Sequence, residues 1–293
     1  MYFKKKSSGD IIFETIIYAI LTAACIVVLY PLILIAGQSF SDPFLVMRGE
    51  VKLLPKGFNL KIYQSVLQHS ELWNSYKNTI IYTFIGTAVS VSATAISAYP
   101  LSRKDMYGYK FFNLFAIVTM FISGGMIPLY LQVSNLNLIN SMWSVILPSA
   151  ISTFNLIVMK SFYSTSIPSE INDAAAIDGC NDIHFFVKIV LPLSSSILAV
   201  MVLFYGVRQW NSWVSPLLYL VDRKKYPLQL ILREILLQNQ VSSLSDAALS
   251  DQIMIGETIK YAVMVVSTIP ILCLYPFLQK YFVKGVMMGA LKG

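Results

Sequence analysis

Long apolar runs separated by short polar stretches dominate the chain. A helix needs about 20 predominantly apolar residues to cross a membrane. Six uncharged segments reach or approach that length: Thr15–Gly37, Thr79–Ala98, Phe111–Leu131, Trp143–Met159, Ile189–Val207 and Tyr261–Gln279. The fourth and fifth are slightly short and need flanking residues to span. One ionised residue at the centre of a span costs about 2.5–3.5 kcal/mol on insertion scales, so the absence of charge from all of them points to helices facing lipid or one another. The expected fold is an all-α membrane protein with six transmembrane helices.

The first run follows Lys4, Lys5 and Lys6, which is also how a secretory signal begins. It is longer than the usual apolar region of about 7–15 residues in such a signal, and "LTAAC" at Leu21–Cys25 is followed by further apolar residues up to Gly37. An uncleaved first helix is the expectation. Pro31, Pro128, Pro148, Pro192, Pro270 and Pro276 fall within or at the ends of the spans. Membrane helices tolerate proline because neighbours re-satisfy the freed carbonyls. Gly86, Ala88, Ser90, Ser92, Ala93, Ala95 and Ser97 give the second span a small-residue surface that lets another helix approach closely. Of the polar intervals, Gln38–Asn78 and Arg208–Lys260 are too long for tight turns. The second contains "YPLQLILREILLQ", whose apolar spacing predicts a short amphipathic helix. A helix lying on the membrane surface with no partner would show the same spacing.

Composition agrees with this picture. The 293 residues are 56% apolar and 13% charged, with a formal net charge of +7; a soluble domain has about 25% charged residues. The positive balance fits lysine near lipid headgroups, and no basic stripe with interleaved aromatics suggests nucleic-acid binding. Cys25, Cys180 and Cys273 have no metal-ligand spacing, and an odd number argues against a disulfide framework. With Lys4–Lys6 inside, the stretches Pro100–Lys110 and Lys160–Lys188 and the segment after Lys280 are also inside. The short interval Gln132–Met142 on the other side carries no charge. A bare count of Lys and Arg ties at 11 on each side, but short loops decide orientation, so both termini are expected in the cytoplasm, with the chain multi-pass in the cell membrane.

One stretch departs from the apolar pattern: "EINDAAAIDGCNDIHFFVKIVLP", Glu170–Pro192. Pro168 can start a helix, because its missing N–H is unpaired there in any case. Glu170 and Asp173 favour the positive helix end. Gly179 can supply the left-handed residue that ends the helix, and Asn181 can cap the next one. The expected outcome is helix, sharp turn, helix. Ala174, Ala175 and Ala176 leave the first helix, Pro168 to Ile177, narrow enough to enter a cleft of another protein. Composition and periodicity alone leave that reading level with a polar connector between two spans.

"EINDAAAIDGC" followed by "KIVLP" resembles the EAA loop of ABC importer permeases, with Ala174, Ala175, Asp178, Gly179, Ile189, Leu191 and Pro192 matching. Asp173 stands where Glu is usual and Cys180 where Ala is usual. "LLPKGFNLKIYQSVL" (Leu53–Leu67), "YKNTIIYT" (Tyr76–Thr83), the stretch Trp210–Leu236 and the ending "YFVKGVMMGALKG" look like the second permease subunit of maltose-type carbohydrate importers, in the polysaccharide branch. The resemblance implies a type I importer fold in which residues 1–73 form the first helix and outer loop, 74–282 the permease core with five spans, and 283–293 a cytoplasmic tail. It implies that Glu170, Asp173, Ala174, Ala175, Asp178, Gly179 and Pro192 serve coupling to a cytoplasmic ATPase dimer. It also implies a second, non-identical permease and an extracytoplasmic solute-binding protein. ATP and magnesium would be bound by the ATPase and no cofactor by this chain, which has no G-x-x-x-x-G-K-[ST] loop. The tail residues Lys284, Gly285 and Gly289 would enter the ATPase interface, against the alternative of a frayed terminus.

Gln209, Trp210, Asn211 and Trp213 lie at the outer end of the fifth span. Trp faces stack on sugar rings, and Asn and Gln supply paired donors and acceptors. Trp is also common at a membrane interface, which is the preferred reading. A membrane-embedded enzyme would want ionisable or metal-ligating groups within the spans, and the two histidines, His69 and His184, lie outside them. An ion-gradient-driven transporter usually carries ionisable groups at midplane. It is the main alternative, beside an ABC permease for a non-sugar solute. The expected function is non-catalytic: the permease subunit of a binding-protein-dependent oligosaccharide or polysaccharide importer.

Overall fold

A computed structural model of the chain describes residues 8–68, 70–242 and 258–273. Within them the secondary structure is helical, with no strand. The chain divides into two compact units, residues 1–69 with 232–268 and residues 70–231 with 269–293.

In the first unit, α1 (Ser8–Ser39) is apolar around its whole circumference and exposed along its membrane-length stretch, as suits a helix whose solvent is lipid. The chain after it folds back on the end of α1. The Tyr63 hydroxyl donates to Ser39 Oγ at 2.8 Å, and Ser41 Oγ donates to the Gly37 carbonyl at 2.6 Å while accepting from the Lys56 N–H at 3.0 Å. Phe40 stacks on Phe58 and Tyr63. Two short helices, α2 (Pro43–Met47) and α3 (Lys61–Gln68), complete this outer loop.

The second unit opens with α4 (Ser70–Ser102), followed by α5 (Tyr109–Phe121), α6 (Met126–Asn135), α7 (Met142–Ile146, continued by a 3-10 turn to Ser149) and α8 (Thr153–Ser166). Next come α9 (Ser169–Ile177), α10 (Asp182–Phe185), a π-turn (Phe186–Val190), α11 (Leu191–Leu193), α12 (Ser195–Trp210) and α13 (Val214–Tyr219). Helix α14 (Leu228–Ser242) crosses the unit boundary, as does the apolar helix α15 (Thr258–Cys273).

Three of the expected spans are broken into bent helix pairs. The segment Phe111–Leu131 is α5 and α6, bent by 114°; the segment around Trp143–Met159 is α7 and α8, bent by 53°; and the helical path 182–193 meets α12 at 80°. Each break has a local cause. Gly125 has φ 86° and ψ −179°, a conformation essentially closed to other residues. Pro148 sits in the 3-10 turn that ends α7. Pro192 has no N–H to offer the carbonyl one turn back and its ring crowds that carbonyl; the helix widens into the π-turn just before it and breaks at the buried Ser194. Among the described residues two helices, Gly9–Ser39 and Glu71–Ser102, are long and apolar enough to cross a membrane unaided, and the bent pairs bring the number to five. The sixth expected span, Tyr261–Gln279, extends past the described residues.

A continuous apolar column runs along α4, α8 and α12. Ala95, Ala98, Leu156, Met159, Tyr163, Ile197, Met201 and Tyr205 are buried in it, together with Ala175, Phe185 and Val190 from the polar stretch and its sequel. Small side chains on α4 make this possible, as expected from its composition. At Gly86 the backbone of α4 meets Gln209 so closely that an added methyl group would stand 3.0 Å from the Gln209 amide carbon. At the far end of the column the Tyr205 hydroxyl lies 2.7 Å from Thr94 Oγ1 and accepts from the Ser152 N–H at 3.0 Å. It thereby satisfies a backbone donor freed by the break before α8.

Away from the polar stretch, the loop between α13 and α14 is bound to the start of α4. Asn78 donates to the carbonyls of Lys224 and Tyr226 at 2.7 and 3.2 Å, Asn74 also donates to Lys224, and the Tyr82 hydroxyl donates to Lys225 at 2.9 Å. Asn140, at φ 59°, accepts from the N–H groups of Val221 and Asp222. The amphipathic helix expected after Tyr226 exists as α14. Its apolar start is packed inside: Leu228 and Leu230 are fully buried, and the Leu228 N–H donates to Thr79 Oγ1 at 2.8 Å.

Removing the Tyr205 hydroxyl takes a partner from the buried Thr94 and from the part-buried Ser152 N–H; an unsatisfied buried group costs about 1–3 kcal/mol. Tyr205→Phe is therefore expected to lower the thermal midpoint of the purified protein in detergent, while Tyr18→Phe in the exposed part of α1 leaves it unchanged. Equal midpoints for the two variants would contradict the role assigned to Tyr205.

Candidate functional site

The stretch Glu170–Pro192 forms the helical hairpin its residues predict, shifted by one residue at the start. Pro168 is the N-cap, with φ −62° and ψ 144°, and not the first helical residue. Its φ suits either position; the extended ψ makes it the last residue before the helix. Glu170 lies in the first turn of α9. The C-terminal carbonyls are closed by the N–H groups of Asp178 to Ala174 (3.1 Å), Gly179 to Ala176 (3.1 Å) and Cys180 to Ala175 (2.9 Å). Gly179 has φ +75°, and nothing lies within 4 Å of where a Cβ would stand. Glycine is required there by backbone conformation alone. Asn181 caps α10, its Oδ1 accepting from the His184 N–H at 2.8 Å.

The three alanines play different parts. Ala175 is buried against the column that includes Ala98, Met159 and Phe185, while Ala174 and Ala176 face outward. Glu170, Asp173 and Asp178 are exposed. So are two isoleucines: Ile177 is 88% exposed and Ile183 77%. An apolar side chain so open, on the polar hairpin of the chain, is available to a partner surface. Pro192 acts on the path that leads from α10 into α12, through the π-turn described above.

A residue of the interval Pro100–Lys110, which sequence reasoning used only for orientation, organises this site. Arg103 follows the last residue of α4, and its guanidinium forks into the hairpin. Nη1 donates to Asn172 Oδ1 on α9 at 2.8 Å, to Asp182 Oδ1 on α10 at 2.9 Å and to the Tyr99 hydroxyl at 3.2 Å. Nε and Nη2 donate to the Asp105 carboxylate at 3.0 and 2.5 Å. The Tyr99 ring in turn lies 5.1 Å from that of Phe186 and 6.4 Å from that of Phe185. The Arg103 hydrogen bond holds the Asp105 carboxyl below its usual range and raises the Arg103 pKa further. A depressed carboxylate pKa stabilises the fold above its unfolded value and loses that contribution as pH falls through its folded value. The Arg103–Asp105 tie therefore weakens only in acid. A cleft of about 660 Å³ opens beside it, lined by Tyr99, Arg103, Tyr163, Glu170, Asn172 and Asp173 among others. The signal available in sequence was a lone arginine directly after a span, which is also what simple membrane orientation produces.

The other expected site residues lie elsewhere. Trp210 is buried, edge-on to Tyr76 at 5.9 Å. Asn211 turns its amide back to the Val207 carbonyl at 2.9 Å. Gln209 lies against Gly86, its Nε2 without a hydrogen-bond partner among the described residues. Trp213 is partly exposed. The structure thus brings Gln209 and Trp210 into the α4–α12 packing, with Trp213 left toward the surface. Lys284, Gly285 and Gly289 lie outside the described residues. Among the described residues no group of three His, Cys, Asp or Glu side chains is placed to hold a metal ion.

Bent spans packed on α4, with a polar hairpin at one end, are the architecture of a transporter's membrane subunit. Over 95% of this chain and 99% of the other, the fold aligns with a chain of a bacterial ABC transporter involved in the import of the acidic polysaccharide alginate, at TM-score 0.83 and 31% identity. No family model matches the chain. The polygalacturonan/rhamnogalacturonan transport system permease protein YtcP of Bacillus subtilis is 39% identical over 96% of this chain and 99% of its own length. The protein LplC of the same organism is 38% identical over 91% and 90%, and an arabinooligosaccharides transport system permease protein AraQ of Halalkalibacterium halodurans is 27% identical over 91% and 92%. The chain belongs to the family of ABC importer permeases, which are integral membrane proteins.

The Asn181 cap is open to a direct check. Replacing an Asn N-cap by Ala costs about 0.5–2 kcal/mol. In Asn181→Ala, amide exchange at His184 is expected to quicken by roughly twofold to thirtyfold, with exchange in the middle of α4 unchanged. Unaltered exchange at His184 would remove the cap from the account.

Proposed function

We propose that the chain is one of two permease subunits of an ATP-driven, binding-protein-dependent importer for an oligosaccharide or a polysaccharide fragment. The observation that carries this is full-length similarity to permeases named for polygalacturonan/rhamnogalacturonan and arabinooligosaccharide transport, together with the alginate importer's fold. The hairpin α9–α10 is the contact with a cytoplasmic ATPase dimer, through Glu170, Asp173, Ala174, Asp178 and the exposed Ile177 and Ile183. Ala175, Gly179 and Pro192 hold it in shape and join it to α12. The chain itself carries no nucleotide-binding loop; ATP and magnesium belong to the ATPase, and hydrolysis is not this subunit's work. Both termini and the hairpin face the cytoplasm. A second, non-identical permease and an extracytoplasmic solute-binding protein complete the assembly, with the tail from Lys284 reaching the ATPase.

Coupling requires the ATPase to bind the two states of the permease with different affinity. A rigid hairpin suits that role, and Gly179 sets its turn. A branched side chain at a left-handed position is strained by about 1–3 kcal/mol, enough to re-aim α9 without unfolding the spans. Gly179→Val is expected to reach the membrane at normal levels and to lose ATP-dependent uptake by tenfold or more; normal uptake by a normally assembled variant would refute the hairpin's role. The substrate class is tested by purifying the complex with its binding protein and identifying released glycan by mass spectrometry. Uptake that proceeds without ATP or binding protein would instead point to coupling by an ion gradient.

A further inference from the structure

We propose that Arg103 is a positioning residue that ties the α9–α10 hairpin to α4, so that displacement of the hairpin is passed to that span. The proposal rests on the reading of the hairpin as the ATPase contact and adds the route by which force leaves it.

Two kinds of contact hold the hairpin to α4. The first is apolar: Ala175 and Phe185 pack with Ala98, and Tyr99 packs with Phe185 and Phe186. Apolar contact is non-directional; it resists compression and permits sliding. The second is the guanidinium fork. From one residue beyond α4 it reaches both arms of the hairpin at 2.8 and 2.9 Å, and it is braced by Asp105 and by the Tyr99 hydroxyl. Charge-assisted bonds of this length are directional; the Arg103 side chain is only 23% exposed, and its bond to Asn172 is part-buried, while Asp182 is 77% exposed and its bond is the one open to salt. If the hairpin moved by an ångström or more relative to α4, both bonds would pass beyond hydrogen-bond reach. The span must therefore follow the hairpin, or the fork must break. Lysine cannot replace the fork: an ammonium is a point charge without the planar, multi-donor geometry.

The test uses the assembled importer, with its ATPase, second permease and binding protein, reconstituted in vesicles. Solute taken up per ATP hydrolysed is read for Arg103→Gln, Arg103→Lys and Asn172→Ala, and for the exchange of Arg103→Asp with Asp182→Arg. Arg103→Gln is expected to co-purify with its partners and to transport at least tenfold less per ATP. Arg103→Lys should recover only part of the loss. At equal assembly the exchanged pair should exceed Arg103→Asp alone by threefold or more in solute per ATP, and it is this ratio, not the amount of assembled complex, that a merely structural role would leave unmoved. A wild-type ratio in Arg103→Gln, or an exchanged pair no better than Arg103→Asp, overturns the proposal. Should Arg103→Gln fail to assemble, Asn172→Ala decides: it removes the bond to α9 and spares the Asp182 pair, so a lowered ratio supports the tie and a wild-type ratio overturns it. Ile177→Arg separates the two levels. Unchanged assembly and uptake in that variant defeats the hairpin as ATPase contact. Lost assembly there, with normal transport by the Arg103 variants, defeats the tie alone.

Discussion

A span inside a membrane has no water to satisfy its backbone, so every break in a helix must find its partners within the protein. That constraint governs the second unit. Helices α5/α6, α7/α8 and α11/α12 are each interrupted, and at the break before α8 the partner can be named: the Ser152 N–H meets the Tyr205 hydroxyl, which also meets Thr94. Tyr205 is a polar group within the largely apolar column. Its position is dictated by the break as much as by packing, and the column is continuous because α4, with alanine, serine and glycine on its surface, lets α12 and α8 come close.

Continuity has a mechanical consequence. Interiors packed to crystal-like density transmit displacement and do not absorb it. The column begins at Ala175 on the hairpin, passes Phe185, Met159 and Ala98, and ends at Tyr205 beside the α7–α8 break. The hairpin and the break are thus two ends of one packed body. Pro192 lies between them, where the π-turn and the bend at Ser194 change the helix direction by 80°. A hairpin seated on a single straight helix would push along one axis. Seated on α4, α8 and the bent entrance to α12, it packs against three elements at once.

Much of this was legible in the sequence, for reasons that also explain what was not. Apolar length located the segments that fold as spans, and Gly179 and Asn181 announced their turn and cap because each answers a local backbone need. The breaks escaped because hydropathy is blind to chain direction: "FISGGMIP" is as apolar as a straight helix, and only the paired glycines and the proline hint at the 114° bend. Trp210 was read by its side-chain type as a sugar or interface contact, whereas its ring neighbour Tyr76 lies over a hundred residues away in sequence. Arg103 was invisible for the same reason. An arginine after a span satisfies membrane orientation by itself, and its reach to Asn172 and Asp182 exists only once the hairpin has folded.

Exposure on the hairpin completes the argument about force. Burying a side chain the size of Ile177 or Ile183 yields about 1.5–3 kcal/mol each, enough for two such residues to anchor a partner. Affinity alone moves nothing, since a ligand shifts an equilibrium only by binding its states unequally. In the proposed reading anchoring and transmission are separate tasks, and the hairpin has an opposite face for each. Its outward face offers isoleucines, alanines and carboxylates to a partner. Its inward face offers Ala175 to the column, with Asn172 and Asp182 held by the Arg103 fork. A hairpin that only anchored would need the first face, and a connector would need neither; the proposed lever would use both.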